Sequence, residues 1–525
     1  FALYDTIPAP ISLTRSRRAS SSREIVSLLS LFIKASRSAI TFVWPEEALQ
    51  AHSLFNWSSL EFDCKKVIQS PSADKEKDRG APTVNLRVLA FCRGNDSIKF
   101  FFLFFFHDIR YKQDLHHRIR VMTRDQNMEE QYRLKTRQWL KDNIDPIRER
   151  QPFSTLHWMP SKETEKSHHN ACQQLQMELY EAGFAGTTVP TKYGGHGGEA
   201  WMQKIFREES TGYQVHTGFY HSIIAMALPA LLKYGTEYQK QEHIKTLISG
   251  EVSWCQLFSE PGAGSDLAGL GAKAELDGDE FVIHGQKVWN SAAMYADMGI
   301  LLVRTNPNAH KHEGITFLLF DMNQPGVEVR PLIQAHGAGH FAEVFLDGAR
   351  CHIQNVLGEI DKGWGPARVV MSNESAMIGG AAGDNPSQLI QLAQRLDRSH
   401  EPVLRQKLAN VYSRNKLLKL MSDRISVAVR NGQMPPIHPS IVKIFVAQNR
   451  RFEGDLAQEI LGAAGVVATH TASEWAMEVL HSRYPISIGG GTDEVHHNNL
   501  GEQALGLPRD IRVDRGIPWK DIPKG

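Results

Sequence analysis

Apolar and polar residues recur with two different periods along this chain, and the change of period divides it into parts. Between residues 125 and 250, charged and apolar positions recur at spacings of three and four, as in EEQYRLKTRQWLKDNI and NACQQLQMELYEAGF. This spacing predicts amphipathic helices, of which the second ends at Gly183. The N-terminal part is therefore predicted to be all-α.

A glycine-rich loop and a proline interrupt this helical part. The loop VPTKYGGHGG (Val189 to Gly198) is turn-forming by composition, and the later apolar run IIAMALPALLKYG (Ile223 to Gly235) contains Pro229. Because proline lacks a backbone N–H, it predicts either a kink or a helix boundary at that position.

His216 and His221 stand five residues apart in the same part of the chain, with Gly218 between them. That spacing does not place two metal ligands on one helix face, and no third ligand accompanies them in the sequence. We interpret both as ordinary interface or surface histidines and predict no metal site.

After residue 250 the period changes to two. The strings AKAEL and FVIHGQKVW flank Asp277-Gly278 and predict a β-hairpin, and MGILLVRT, GITFLLFDM and VEVRPL predict further strands. From Trp364 the helical spacing returns and continues almost to the end. Three dipeptides predict where these helices start or stop: Asn385-Pro386, Glu401-Pro402 and Asn431-Gly432.

The first 121 residues differ in composition from the rest. They contain 18 Lys+Arg against 12 Asp+Glu, and all 14 methionines of the chain lie from Met122 onward. Residues 11–40 are rich in Arg and Ser with a single acidic residue, Glu24, which is typical of an organellar transit peptide. We expect Met122 to be the natural start and residues 1–121 to be a poorly ordered targeting segment or a spuriously translated one.

The domain prediction follows from these changes of pattern. It comprises an N-terminal extension at 1–121, an α-helical domain at 122–250, a β domain at 251–358, a helical bundle at 359–510 and a tail at 511–525. The apolar run Phe100 to Phe106 is too short to cross a bilayer, which needs roughly 20 residues. No transmembrane segment is predicted, and the cytoplasm or, alternatively, the mitochondrial matrix is the expected location.

Composition excludes some classes of partner. With 42% apolar residues and a formal net charge of +1, the chain is globular and has no bias toward nucleic acid. The five cysteines show no CxxC or Cys/His metal spacing, so neither disulfides nor zinc are predicted.

One stretch carries the candidate chemistry, WCQLFSEPGAGSD from Trp254 to Asp266. A strand-like apolar run changes abruptly to a turn in which two glycines permit close backbone approach. Hydroxyl and N–H groups there can bind an anionic or carbonyl-rich ligand.

This stretch resembles the signature of the acyl-CoA dehydrogenase family, and further matches follow in order: KVWNS, FAEVFLDGAR with VLGEIDKGWG, EILGAAG and IGGGTDEVHHN. Together they span about Met122 to Pro508. The resemblance implies an acyl-CoA dehydrogenase-like fold, with an N-terminal all-α domain, a middle β-barrel-like domain and a C-terminal α-helical bundle.

The resemblance also implies an activity, which is the α,β-dehydrogenation of an acyl-CoA thioester to a trans-2-enoyl-CoA. A carboxylate must take the α proton, and a flavin must accept the β hydride because no side chain can. The implied cofactor is FAD, the implied electron acceptor is an electron-transferring flavoprotein, and the implied assembly is a homodimer or homotetramer, or a heterotetramer. A non-catalytic subunit of a heteromeric enzyme and a flavin oxidase or monooxygenase on the same fold remain alternatives.

Site residues are carried over by position. The resemblance implies FAD contacts from Ser259, Ser265, Trp289, Ser291, Thr492 and Glu494. It places the Ser291 hydroxyl near the flavin N5, and it assigns Ser265 and Gly490 to substrate binding.

The catalytic base of many members is missing here, because Gly489-Gly490-Gly491-Thr492 stands where they have Tyr-Glu-Gly-Thr. Gly490 can still donate its N–H to a thioester oxygen. Some branches carry the base eleven residues after a glycine that corresponds to Gly363, which gives Glu374. Apolar residues surround that position at helical spacings: Ala367, Val370, Met371, Met377 and Ile378.

Burial would raise the pKa of Glu374 toward the range useful for a base, although a structural ion pair is an alternative. The family's usual arginine after this glutamate is Ser375. Two further departures concern FAD contacts across a subunit interface: no Arg-Lys-x-Phe-Gly segment is recognisable near LAQRLDRSHEP, and Glu459 replaces a glutamine. The pattern resembles bacterial-type members that act on branched or steroid-derived thioesters, some of which pair with a second subunit.

Overall fold

The computed structural model describes residues 59–62, 85–93, 97–105, 127–146, 162–335, 339–380, 385–433, 438–467, 471–509, 511 and 514–523. They belong to two compact units, Phe1–Asn127 and Met128–Gly525. In the first unit, three strands form an antiparallel sheet in chain order: β1 (Ser59–Phe62), β2 (Asn85–Arg93) and β3 (Ser97–Phe105). The sequence patterns did not predict this sheet, and the Arg- and Ser-rich residues 11–40 lie outside the described residues.

The second unit begins with helices, as predicted. They are α1 (residues 127–143), α2 (Lys162–Glu181), α3 (Ala200–Glu209), α4 (Phe219–Tyr234) and α5 (Glu237–Ser249). Pro229 lies inside α4, so it marks no helix boundary. Buried side chains such as Met226 and Ala230 hold α4 in the core on both sides of the proline, and this packing outweighs the local cost of the lost hydrogen bond.

The middle of the chain forms a seven-stranded curled sheet, which confirms the predicted β domain. Its strands are β4 (Trp254–Leu257), β5 (Lys273–Asp277), β6 (Glu280–Ser291), β7 (Met298–Arg304), β8 (Ile315–Asp321), β9 (Val327–Leu332) and β10 (Phe341–His352). They lie in the order β4-β7-β5-β6-β10-β9, with β8 paired to β7. Asp277 pairs with Glu280, which confirms the β5–β6 hairpin.

Helices return after the sheet, as the spacing predicts. They are α6 (Trp364–Gly380), α7 (Asn385–Arg395), α8 (Pro402–Arg430), α9 (Pro439–Leu461), α10 (Thr471–Ile488) and α11 (Asp493–Asn499). The three dipeptides fall where α7 and α8 begin and where α8 ends. Among the helices of the described segments, none combines the length and apolar character that crossing a bilayer requires.

One apolar cluster joins the three predicted domains. It contains Leu231 of α4, Phe317 of β8 and the buried α6 residues Ala367 and Val370. Burial of an aliphatic or aromatic side chain contributes about 1.5–3 kcal/mol, so this cluster fixes α6 firmly against the sheet. The position of Glu374, one to two turns further along α6, follows from that packing.

The last described residues return to the β domain. The guanidinium of Arg304 lies 4.8 Å from the Trp519 ring centroid, and the indole Nε1 donates to the Gly269 carbonyl at 3.2 Å. Lys311 forms ion pairs with both Asp266 and Asp514. The tail therefore covers one flank of the loop that follows β4.

Candidate active site

A buried ion pair holds the loop that follows β4. Lys287 on β6 is fully buried, and its Nζ donates to Glu260 at 2.7 Å and to the Phe258 carbonyl at 3.1 Å. The two carboxylate oxygens of Glu260 also accept from the backbone N–H groups of Gly271 and Ala272, at 2.7 and 2.9 Å. Burial lowers the pKa of Lys287, and the neighbouring Glu260 opposes that shift. The glutamate of the signature thus fixes both ends of its own loop.

The end of β6 presents the most unusual side chain of the site. Trp289 has a backbone φ of 62°, which a non-glycine residue rarely adopts, and its side chain is 61% exposed. The Val288 N–H donates to the Ser259 carbonyl at 2.9 Å, and Ser291 follows two residues after the indole. Ser259, Trp289 and Ser291 therefore lie at one end of the sheet.

Gln256 of β4 connects Glu374 to this end of the sheet. The Gln256 Nε2 lies 3.4 Å from a Glu374 carboxylate oxygen, and the Gln256 carbonyl accepts from the Asn290 side chain at 2.8 Å. Burial raises the pKa of Glu374, while hydrogen bonds from Gln256 and the Gly490 backbone partly offset the rise. Among the described residues, none contributes a charge that shifts the Glu374 pKa, which argues against the ion-pair alternative.

The glycine turn of the C-terminal motif lies directly against Glu374. Gly490 and Gly491 have φ values of 66° and 93°, in the left-handed region that favours glycine. The carbonyl of Gly490 accepts from the Ser375 hydroxyl at 2.8 Å and contacts the His496 Nε2 at 3.0 Å. Sequence reasoning missed both contacts, although a serine in place of the family's arginine was a signal.

The residues after the turn are fixed by α9 and by a helix cap. The Thr492 hydroxyl accepts from the Val495 N–H at 3.2 Å as the N-cap of α11, and the next residue, Asp493, is buried against Lys443 and Arg451. Glu494 is exposed, and its own backbone N–H lowers its pKa. The Thr492 hydroxyl therefore has a structural use besides its predicted cofactor contact.

The predicted site residues form two groups. Glu374 and Gly490 are in contact, Thr492 and Glu494 continue from the same turn, and Asn290 with Gln256 links them to the end of β6. Ser265 lies apart in the exposed part of the loop, next to Asp266, which pairs with Lys311.

The departures near α7 and α9 also have structural uses. Arg398 donates to the carbonyls of Glu459 and Ile460 at 2.8 and 2.7 Å, and it pairs with Glu401. The Glu459 carboxylate binds Lys407 at 2.6 Å. These side chains connect α7, α8 and the C-terminal end of α9 within one chain.

His216 has neighbours that its sequence context did not reveal. His168 and Cys172 of α2 lie beside it, with one possible ligand atom from each residue within 4.8 Å of the others, which corrects the expectation that no third ligand is present. Hydrogen bonds already use this cluster, because the Cys172 Sγ contacts the His216 carbonyl and the Gly218 N–H donates to the His216 Nδ1. His221 is not part of it.

Comparisons with known proteins agree with the order of the elements. Models of the acyl-CoA dehydrogenase N-terminal, middle and C-terminal domains match residues 129–251, 255–349 and 361–505. The acyl-CoA dehydrogenase IpdE1 of Mycobacterium tuberculosis is 30% identical over 388 residues, covering 73% of this chain and 99% of that protein. Acyl-CoA dehydrogenase FadE34 of the same organism is 34% identical over 340 residues, covering 64% of this chain and 46% of FadE34.

Two solved structures share the fold. The structure described as a Tcur3481-Tcur3483 steroid ACAD has a TM-score of 0.62 at 25% identity, and the ChsE4-ChsE5 complex from Mycobacterium tuberculosis has a TM-score of 0.57 at 26% identity. Each comparison covers 73% of this chain and 98% of the matched chain.

The class defined by these matches is that of oxidoreductases that act on CH–CH bonds. Within that class, the chain belongs to the acyl-CoA dehydrogenase family.

Family membership implies a flavin, and the end of β6 fits one. Trp289 presents most of its indole to solvent from a left-handed backbone position, with the Phe341 ring edge-on at 5.9 Å. A large exposed aromatic surface, at the end of the sheet where Ser259 and Ser291 also lie, suits a planar ring with polar edges.

Proposed function

We propose that this protein is an FAD-dependent acyl-CoA dehydrogenase that converts an acyl-CoA to its trans-2-enoyl-CoA, with Glu374 as the catalytic base. The observation that carries the proposal is the placement of the Glu374 carboxylate. It is partly buried, its pKa is raised, and it lies between the Gly490 turn and the Gln256–Asn290 link to the end of β6. A carboxylate with a raised pKa is suited to accept a proton near neutral pH.

The chain supplies separate groups for the cofactor and the substrate. Ser259, Trp289 and Ser291 would hold the flavin ring, and Ser265, Thr492 and Glu494 would contact the more distant parts of FAD. Bound FAD supplies a hydride acceptor, which no side chain can replace. The Gly490 N–H would donate to the thioester oxygen and stabilise negative charge there while Glu374 takes the α proton.

The proposed substrate is a bulky, steroid-derived acyl-CoA, and the proposed electron acceptor is an electron-transferring flavoprotein. Support for the substrate comes from the steroid ACAD, a relative in fold and sequence. The names of the two solved relatives, Tcur3481-Tcur3483 and the ChsE4-ChsE5 complex, each join two proteins. This favours an assembly of two or more subunits for the present chain as well. Exposed apolar side chains on the C-terminal helices suit such an interface: Tyr412, Leu417, Leu420, Val427, Ile441, Tyr484 and Ile488.

The decisive test is Glu374→Gln, which conserves shape and removes only the carboxylate. Loss of a general base typically costs about 10²- to 10⁴-fold, so anaerobic flavin reduction by a steroid-derived acyl-CoA should slow by that factor while FAD content stays unchanged. Glu251→Gln, at an exposed position just before β4, is the matched control and should reduce flavin at the wild-type rate. An unchanged rate in Glu374→Gln would place the base elsewhere.

Absence of the usual glutamate at position 490 favours one alternative, a subunit that only completes a partner's site. An experiment on the wild-type protein distinguishes this subunit function from the proposed catalytic function. If the wild-type chain alone is not reduced by any acyl-CoA but is reduced after co-purification with a related subunit, the subunit function is correct. Rapid O₂ consumption by the reduced protein would instead indicate an oxidase or monooxygenase.

A further inference from the structure

Two side chains from different helices converge on the carbonyl of Gly490. The Ser375 hydroxyl on α6 lies 2.8 Å from this oxygen, and the His496 Nε2 on α11 lies 3.0 Å from it. A carbonyl oxygen has two lone pairs, so these two partners saturate it. The Gly490 N–H in turn approaches the carboxylate of Glu374, the residue just before Ser375. Two consecutive residues of α6 therefore contact the N–H and the carbonyl of the same glycine.

The hydrogen-bond partners determine the tautomer of His496. Because a carbonyl can only accept, the Nε2 must carry the proton, and the Nδ1 can then accept from the Ser440 hydroxyl at 2.9 Å. Burial of the ring lowers the pKa of His496, which agrees with a neutral imidazole at neutral pH. The ring also lies under Gly491, where a Cβ would approach its Nε2 to 3.0 Å.

The turn needs this support because glycine has no side chain to restrict it. Gly490 and Gly491 both have positive φ, and a pair of glycines loses much conformational entropy when ordered in one geometry. An N–H stabilises a developing oxyanion only when its direction is fixed in advance. The two contacts to the Gly490 carbonyl hold the peptide on the C-terminal side of this residue, so they restrict the orientation of its N–H as well.

We propose that Ser375 and His496 are positioning residues, which hold Gly490 so that its N–H is directed at Glu374 and, in the complex, at the thioester oxygen. Neither residue transfers a proton or contacts the reacting carbons. Ser375 takes the place of the family's arginine, and in this chain it serves a turn that lacks the usual glutamate. The inference rests on the proposed function, since it assigns these residues to the same site.

Ser375→Ala removes one contact without changing the helix propensity unfavourably. Misplacement of a reacting group by about 1 Å can cost 10²-fold, so we expect kcat for flavin reduction to fall by about 10- to 10²-fold while KM and FAD content change little. Ser375→Thr keeps the hydroxyl and should recover most of the rate. Ser372→Ala is the matched control, because its hydroxyl donates to the Val369 carbonyl on the same helix at 2.9 Å, and this variant should behave as wild type.

The second contact is tested with His496→Gln and His496→Leu. Glutamine can place an amide N–H where the Nε2 is, so it should retain more activity than leucine, which has no donor. Since both residues act on one oxygen, the double variant Ser375→Ala/His496→Leu should lose less activity than the product of the two single losses. Strict additivity would contradict the shared role.

The outcomes separate this inference from the proposed function. If Glu374→Gln abolishes flavin reduction but Ser375→Ala matches wild type, Glu374 is the base and the positioning role is wrong. A loss in Ser375→Ala that threonine does not restore, or that appears as lost FAD, would also overturn it, because a merely structural role would produce that result. If Glu374→Gln is fully active, the proposed function fails first.

Discussion

Two parts of the proposed active site are held in place by different means. The loop that follows β4 is fixed by charges: Lys287 and Glu260 form a buried pair, and Arg304 donates to the Ala268 and Glu313 carbonyls. The Gly490 turn is fixed by neutral groups, a serine hydroxyl and an uncharged imidazole. The charged side contains the stretch that resembles the family signature, whereas the neutral side is where this chain departs from the family pattern.

The difference indicates which part tolerates the substitution of a single residue. Removing one partner from a buried ion pair leaves an uncompensated charge, so Glu260 and Lys287 can be exchanged only together. A neutral hydrogen bond contributes about 0.5–1.5 kcal/mol, and one donor can replace another at similar cost. A glycine at position 490 is therefore compatible with a stable turn, because Ser375 and His496 contact its backbone.

The largest effect is expected for Lys287→Met, which leaves the Glu260 carboxylate without its cation. We expect a loss of about 3–5 kcal/mol in the free energy of unfolding, measured by urea denaturation. The double variant Lys287→Met/Glu260→Gln removes both charges and should recover a substantial part. A single variant as stable as wild type would show that the pair does not hold this loop.

A smaller effect on the same side is expected for Trp519→Ala. It removes the ring 4.8 Å from the Arg304 guanidinium and the donor to the Gly269 carbonyl. A partly desolvated cation–π contact and one hydrogen bond together suggest a loss of about 1–2 kcal/mol in the same measurement. Trp519→Phe keeps an aromatic ring without the donor, so its free energy of unfolding should lie between those of wild type and Trp519→Ala. If Trp519→Ala is as stable as Trp519→Phe, the cation–π contact does not contribute.

The stability that His496 contributes at the Gly490 turn should decrease at acidic pH. The folded-state pKa of His496 is lowered by burial, so the unfolded chain binds this proton first as pH falls below about 6.5. The contribution of the neutral ring is complete above that pH and is lost as pH falls toward the folded-state pKa, by at most about 1.4 kcal/mol per pH unit.

Comparison with His496→Gln isolates this effect, because burial also lowers the pKa values of His168, His169, His221 and His243. The stability advantage of wild type over His496→Gln should shrink between pH 7 and pH 5, in thermal denaturation followed by fluorescence. His400→Gln, at an exposed position, is the control and should leave the pH dependence of wild type unchanged. Parallel curves for wild type and His496→Gln would contradict a neutral His496.

The helices and strands were predictable from sequence because their signals are local, whereas the fold class followed from the family resemblance. Period-two and period-3.6 patterns and helix-boundary dipeptides act within a few residues, and they located the β5–β6 hairpin and the starts of α7 and α8. The sheet in residues 59–105 was missed because compositional bias was interpreted as disorder.

The contacts of the site were less predictable because they join distant positions. Gln256 and Glu374 are 118 residues apart in sequence, and Ser375 and Gly490 are 115 apart. No periodic pattern encodes a hydrogen bond between elements whose placement depends on the tertiary fold. Counting from Gly363 led to the prediction of Glu374 as the base, but nothing local to Ser375 indicates which carbonyl it contacts.

The contact between the tail and the β domain has a consequence for biosynthesis. Trp519 and Gly269 are 250 residues apart, and nearly the whole C-terminal bundle is made between them. At a synthesis rate of about 5–20 residues per second, the loop beside Arg304 waits for tens of seconds before its covering indole leaves the ribosome. During that interval the β domain is incomplete on this flank, so a nascent chain that stalls within α10 or α11 would present Arg304 and its loop to solvent.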